Sequence, residues 1–341
     1  MSENNPVELV PGLHQIRLPI PIKTLKSVFV YLVRDGDQNL LIDTGWNSEE
    51  TYDALTTAFN EIGFSIGEIQ NIVISHLHPD HFGLAARIKR ESAKGRVLMH
   101  RFDAENLQER IQSHKRFLGN LDNWLLMHGT PVQVLGEMTG SSLEKMEDPS
   151  QPDVKLRGGE LLKVGDKFRF EVIHTPGHTI GQICLYDQGG STVLFSGDHV
   201  LPTITPNVSL SPLYVGDPLG DYVKSLEILR PLKVSKILPS HEYVFENLEK
   251  RLKEIEQHHT NRLQNTLDVV NSAGGPVSGY EVASMLRWYA DWEKLNPWEK
   301  RAAVMETLAH LEHLKRNGKV AEVRDEEGEE TRIHYLPLEH C

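Results

Sequence analysis

Apolar residues recur along this chain in two rhythms, one of strands and one of helices. Leu13-His14-Gln15-Ile16-Arg17-Leu18 partly alternates, and Val28-Phe29-Val30-Tyr31-Leu32-Val33 is rich in β-branched and aromatic residues, so residues 8 to about 45 read as strands. Arg34-Asp35-Gly36-Asp37 is a hairpin signal, and Leu40 to Ile42 is the strand after it. Glu49 to about Ile62 switches to helical spacing, with Tyr52, Leu55 and Phe59 three and four residues apart. The short apolar run Ile72-Val73-Ile74 follows, then a helix from about Phe82 to Ala93 and a strand from Arg96 to His100. Strand clusters with interleaved helices predict a mixed α/β (α+β) fold.

Residues 101 to about 150 interrupt this order. Asp103 to Leu126 reads as helix, with Leu107, Ile111, Leu118, Leu121 and Leu125 on one face. Residues 154 to 245 return to strands: Phe168 to Val172 alternates apolar and charged residues, Ile183 to Tyr186 and Thr192 to Phe195 are apolar, and Asp217-Pro218 opens a helix to Leu229. Composition shifts near Glu246. A charged helix covers 247 to about 271, and Ser278 caps a short helix through Arg287. Another helix starts at Trp298 or Glu299 and runs to Arg316. Val320 to Val323 and Thr331 to Tyr335 then flank an acidic turn, Asp325 to Glu330.

Composition excludes some function classes. At 39% hydrophobic and 25% charged residues, the chain is that of an ordinary soluble globular protein. The net charge of −12 opposes non-specific attraction to nucleic-acid phosphates. No apolar stretch reaches the roughly 18–20 residues that span a membrane, and the start, Met1-Ser2-Glu3-Asn4-Asn5-Pro6, lacks the features of a secretion signal. Two cysteines, Cys184 and Cys341, exclude a disulfide framework. The expected compartment is a reducing cytoplasm.

The densest chemistry lies at Ser75-His76-Leu77-His78-Pro79-Asp80-His81-Phe82-Gly83. Four good metal ligands fall within six residues, directly after Ile72-Val73-Ile74, so a strand end delivers imidazoles and a carboxylate to one place. Imidazole with carboxylate suits zinc, with manganese or iron as poorer alternatives. A purely structural reading is weak, because buried charge is costly unless paired or metal-bound.

H-x-H-x-D-H after a hydrophobic strand resembles the signature of the metallo-β-lactamase superfamily. Four further segments resemble its other motifs, in the expected order: Leu40-Leu41-Ile42-Asp43-Thr44-Gly45, Thr175-Pro176-Gly177-His178-Thr179, Phe195-Ser196-Gly197-Asp198-His199 and Ile237-Leu238-Pro239-Ser240-His241. The resemblance covers about residues 8 to 245. It implies an αββα sandwich with a helical insertion, and two adjacent metals, zinc first. His76, His78 and His178 would hold one ion, Asp80, His81 and His241 the other, and Asp198 would bridge them. A shared metal-bound hydroxide would be the nucleophile, and Asp80 a catalytic residue that orients it or carries a proton. Asp43 is the candidate acceptor for the other ring nitrogen of a ligand histidine, with a turn-forming aspartate before Gly45 as the plainer alternative. His199, beside Asp198, and Tyr214 are candidate site-lining groups. His100, His114 and His128 read as surface histidines, and His258 and His259 as parts of a polar helix.

The resemblance also sorts function. Antibiotic-degrading dizinc members carry cysteine where this chain has Asp198, and oxygen-reducing diiron members carry glutamate in place of His78. What remains is a zinc-dependent hydrolase of the glyoxalase II, lactonase or ribonuclease-like branch. The expected domains are 1–246, catalytic, with the insertion at about 101–150, and 247–341, which resembles the winged-helix domain appended to some members. Residues 251–341 hold 12 Lys and Arg against 16 Asp and Glu, which favours a lid or oligomerisation role over DNA binding. A thioester, ester or lactone is the expected substrate, given the apolar insertion. A phosphodiesterase or ribonuclease is the alternative, with Lys89, Arg90, Lys94, Arg101, Arg110, Lys115 and Arg116 as its groove. A DNA-binding metal- or ligand-sensing protein comes third. A homodimer is compatible with the insertion and the appended domain.

Overall fold

The computed structural model describes residues 5–21, 25–112, 114–139, 151–214, 216–327 and 330–338. The end of the expected insertion, 140–150, and the tip of the acidic turn, 328–329, lie outside the described residues. The chain divides into two compact units, one of residues 1–111, 146–206 and 225–252, the other of residues 112–145, 207–224 and 253–341.

The first unit holds two sheets. One has seven strands in chain order: β1 (Val7–Val10), β2 (Leu13–Pro19), β3 (Ser27–Asp35), β4 (Gln38–Ile42), β5 (Asn71–Ile74), β6 (Arg96–His100) and β7 (Val154–Leu156). Pairing is antiparallel through β4 and parallel from β4 to β7. The other sheet has β8 (Leu161–Val164), β9 (Phe168–His174), β10 (Ile183–Asp187), β11 (Val193–Gly197) and β12 (Lys236–Pro239), antiparallel except for the parallel pair β11–β12.

Alternation along the strands builds two cores. Val28, Val30 and Leu32 of β3 enter one, Tyr31 and Val33 the other; Ile72 and Ile74 of β5 enter the first, Val73 the second. A strand buried on both faces needs no polar positions, hence the unbroken run Ile72-Val73-Ile74. The second core lies between the sheets and takes Phe168, Phe170, Ile183, Leu185, Phe195 and Leu238 from the opposing strands. The first packs the seven-stranded sheet against α1 (Glu49–Glu61) through Leu55 and Phe59, and against α3 (Ala85–Glu91) through Ala85 and Ile88. Between them α2 (Pro79–Phe82) is a single turn inside the metal motif, so the helix expected from Phe82 begins only at Ala85. α4 (Arg101–Gln112) begins two residues before the expected Asp103.

The second unit includes α5 (His114–Met127) and α6 (Val132–Thr139). α7 (Pro218–Leu229) and α8 (Leu248–Ser272) contribute residues to both units. α9 (Gly279–Met285), α10 (Pro297–Arg316) and a sheet ordered β13 (Val277–Ser278), β15 (Glu330–Pro337), β14 (Val320–Glu327) complete it. Leu121, Leu125 and Leu135 share a core with Val282, Val304, Leu308, Ile333 and Tyr335. α10 starts earlier than Trp298, because the Asn296 side chain accepts from the Glu299 amide and Pro297 fits the first turn. Among the described residues, no helix is long and apolar enough to cross a membrane.

Three histidines expected to be exposed or unremarkable are buried. His100 stacks on His174 at 3.9 Å, His128 stacks on Tyr335, and His259 packs against Tyr222. Burial holds His100 and His128 down to about 4 and His259 down to about 2, so all three are neutral near pH 7. The side chain of His114 lies outside the described residues.

Tyr31 joins the two sheets. Its ring meets Phe195 edge-on at 5.1 Å, and its buried hydroxyl donates to the Pro239 carbonyl at 2.6 Å. Tyr31→Phe leaves that carbonyl without its donor. The expected loss is about 1–3 kcal/mol, read as a lower denaturant midpoint at constant m-value in metal-free protein. An unchanged midpoint would show that the bond contributes nothing.

Candidate metal centre

The strand directions collect the candidate residues. β4 and β5 are parallel neighbours, so Asp43 after one and Ser75-His76 after the other emerge at one end of their sheet. In the second sheet β9 and β11 are each antiparallel to β10, and β12 is parallel to β11. His178, Asp198 and His241 therefore follow strands that point the same way. Sites in α/β sheets form at such carboxyl ends. Gly197, at φ +52°, makes the turn into Asp198; a Cβ there would lie 2.6 Å from the Gln182 side chain and 3.0 Å from Ser75.

All seven predicted ligand residues meet, in two groups: His76, His78, His178 and Asp198, and Asp80, His81 and His241. In the first, His78 Nδ1 stands 3.0 Å from His76 Nε2 and 2.9 Å from His178 Nε2. Asp198 faces both groups, one oxygen to each. Its Oδ2 is 3.6 Å from His178 Nε2 and 4.0 Å from His76 Nε2. Its Oδ1 is 3.6 Å from His81 Nε2 and 3.4 Å from His241 Nε2. Asp80 Oδ2 is 3.4 Å from His241 Nε2 and 3.7 Å from His81 Nε2. Donors at zinc–nitrogen distance around a tetrahedral ion stand about 3.3 Å apart. His81 Nε2, His241 Nε2 and Asp198 Oδ1 are buried without a hydrogen-bond partner. Buried polar atoms rarely stay so, and three of them turned toward each other fit a divalent cation held by imidazole and carboxylate.

The opposite ring nitrogens are fixed. Asp43 Oδ2 accepts from His81 Nδ1 at 2.8 Å and from the Ser75 hydroxyl at 2.7 Å, while its Oδ1 accepts from the Ser75 amide. Ser75 Oγ in turn lies 3.0 Å from His76 Nδ1. One carboxylate thus orients a ligand in each group, directly or through Ser75. His241 Nδ1 donates to the Ser27 carbonyl at 2.9 Å, and Thr44 holds the His81 carbonyl through both its amide and its hydroxyl. The bonds to Asp43 and to the Ser27 carbonyl hold a proton on Nδ1, so Nε2 is the nitrogen that His81 and His241 turn inward, the one an ion would take. Asp43 does this from a left-handed backbone, φ +60°, which aspartate tolerates better than most residues. Sequence reasoning missed Ser75 and Ser27. The only signal was the hydroxyl immediately before His76, since the Ser27 contribution is a main-chain oxygen.

The charges sort the two groups. Burial, reinforced by neighbouring imidazoles, holds His76 and His78 well below the usual histidine value, so both are neutral donors. Burial would lower His81 and His241 too, but carboxylates led by Asp198 outweigh it, lifting His81 well above its usual value and His241 to about 10. Against its own burial, Asp80 is held down to about 2 by His81 and His241. His199 lies outside both groups; it is buried and held down to about 3 by desolvation. Tyr214 belongs to the second unit, where its hydroxyl lies 3.3 Å from Asp221.

Known proteins resemble this chain to different extents. A metallo-beta-lactamase family protein from Thermus thermophilus superposes with a TM-score of 0.81 at 28% identity, covering 97% of this chain and all of its own. The probable metallo-hydrolase YqjP of Bacillus subtilis (strain 168) is 26% identical over 307 residues, 88% of this chain and 91% of its own. The human acyl-coenzyme A thioesterase MBLAC2 is 26% identical over 240 residues, 62% of this chain and 72% of its own. Residues 24–241, which span every ligand candidate, match the model of the metallo-beta-lactamase superfamily. The chain therefore belongs to the metallo-beta-lactamase superfamily and is a metallo-hydrolase of that superfamily.

Proposed function

We propose that the protein is a dinuclear metal-dependent hydrolase of small acyl substrates, thioesters first, with esters and lactones in the same class. The observation that carries this reading is Asp198, which turns one oxygen to each donor group. His76, His78 and His178 would hold one ion, Asp80, His81 and His241 the other, and Asp198 would be the residue they share. The donor set favours zinc, with manganese or iron weaker. A bound pair of ions polarises a carbonyl and makes water nucleophilic at neutral pH. Asp80, ionised near pH 7, would orient the attacking water and carry a proton on to the leaving group, through the carboxylate oxygen not turned to the ion. A carbonyl substrate is supported by the human relative, described as an acyl-coenzyme A thioesterase.

The phosphodiester reading has less support. It needs free cations near the site, yet Lys89 is paired with Asp153 at 2.6 Å. The side chains of Arg110, Lys115 and Arg116 lie outside the described residues. The C-terminal helices and hairpin form a winged-helix-like module without a nucleic-acid role, consistent with its excess of acidic residues. A gel shift with duplex DNA at low salt tests this, and a retarded band would reverse it.

A rate panel with an acyl thioester, a γ-lactone and an activated phosphodiester, blanked with Asp80→Ala, tests the main reading. Carbonyl turnover is expected to dominate, and Asp198→Asn to lower its kcat/KM by about 100- to 1,000-fold, several kcal/mol of lost charge stabilisation. Preferred phosphodiester turnover would overturn the assignment.

Metal uptake is expected to depend on pH. In the metal-free protein His81 and His241 are protonated at pH 7, because their values are raised. An ion entering their group displaces those protons, so its apparent affinity rises with pH, about tenfold per unit for each proton displaced. Zinc titrations between about pH 6 and 8 read this slope. A flat profile would show that no protons are displaced from these imidazoles.

A further inference from the structure

Asp103 sits in the first turn of α4, just past the end of β6, and is 1% exposed. Its carboxylate meets both loops that carry the first ligand group. Oδ2 accepts from the Leu77 amide at 2.8 Å and from the Thr179 hydroxyl at 2.8 Å, and Oδ1 accepts from the Gly181 amide at 2.9 Å. Leu77 stands between His76 and His78, and Thr179 follows His178. Three donors thus tie a buried anion to the loops beside three of the four residues of that group. Gly181 permits the approach, since a Cβ there would fall 2.5 Å from Asp103 Cγ. Asp43, by contrast, reaches one imidazole in each group.

We infer that Asp103 is a positioning residue for the His76, His78 and His178 site, holding its two loops at the separation one ion requires. Its bonds fall beside His76, His78 and His178 rather than beside Asp80 or His81, so its effect falls first on their ion. Asparagine keeps the shape but replaces one acceptor by a donor facing an N–H or O–H group. The inference rests on the two-metal reading proposed above.

The test strips metal from wild type, Asp103→Asn and Gly181→Ala, then titrates zinc against a chromophoric chelator. His178→Ala and His241→Ala mark the loss of each group, and unfolding midpoints of the metal-free proteins are measured alongside. Wild type is expected to bind two ions. In Asp103→Asn and Gly181→Ala one step weakens by about 10- to 100-fold, and the surviving step matches that of His178→Ala. Two wild-type steps in Asp103→Asn would overturn the inference while leaving the two-metal reading intact. So would equal weakening of both steps with a lowered midpoint, which marks a role in the fold alone. A wild-type chain that binds fewer than two ions would overturn both.

Discussion

An ionised carboxylate cannot stay in a protein interior without compensation, and Asp198 concentrates that constraint. It is 8% exposed and remains anionic against its own burial because His241 and His81 face it. Without a cation the compensating charge must be protons on those imidazoles. With one, the same geometry becomes a coordination sphere. The arrangement around Asp198, from the turn at Gly197 to the Asp43 bonds, keeps donors turned toward that charge.

Supporting bonds follow the same strand-end logic as the donors. Asp43 follows β4, Ser75 follows β5 and Asp103 follows β6, three successive parallel strands. The opposing sheet supplies its donors after β9, β11 and β12. Loops that short have little freedom once the strands are packed, so rigidity at the centre is inherited from the core between the sheets. Tyr31 makes the dependence concrete: its hydroxyl holds the Pro239 carbonyl, two residues before His241.

Much of this was legible in the chain. Strand-end clusters of histidine and aspartate announce themselves locally, because their spacing is a property of one loop. The strands themselves were readable for the same reason, as in Ile72-Val73-Ile74. Partners that depend on distant segments were not. Asp103 reads as an ordinary acidic residue at a helix start, and nothing nearby reveals that Leu77 and Gly181 will point amides at it. His100, His128 and His259 read as polar, yet each is enclosed by an aromatic or imidazole ring brought from elsewhere in the chain. The amphipathic face of α5 was plain, but not that it would pack with Val304 and Leu308 nearly two hundred residues on.

That last pairing bears on how the chain can be cut. Each unit is assembled from three separate stretches, interleaved along the sequence. No single scission frees either one whole. A fragment ending near residue 246 would carry Leu121, Leu125 and Leu135 without the C-terminal half of their core, exposing apolar surface to solvent. The two units are distinct in their packing but not modular in their inheritance. A junction anywhere between residues 112 and 252 would split both.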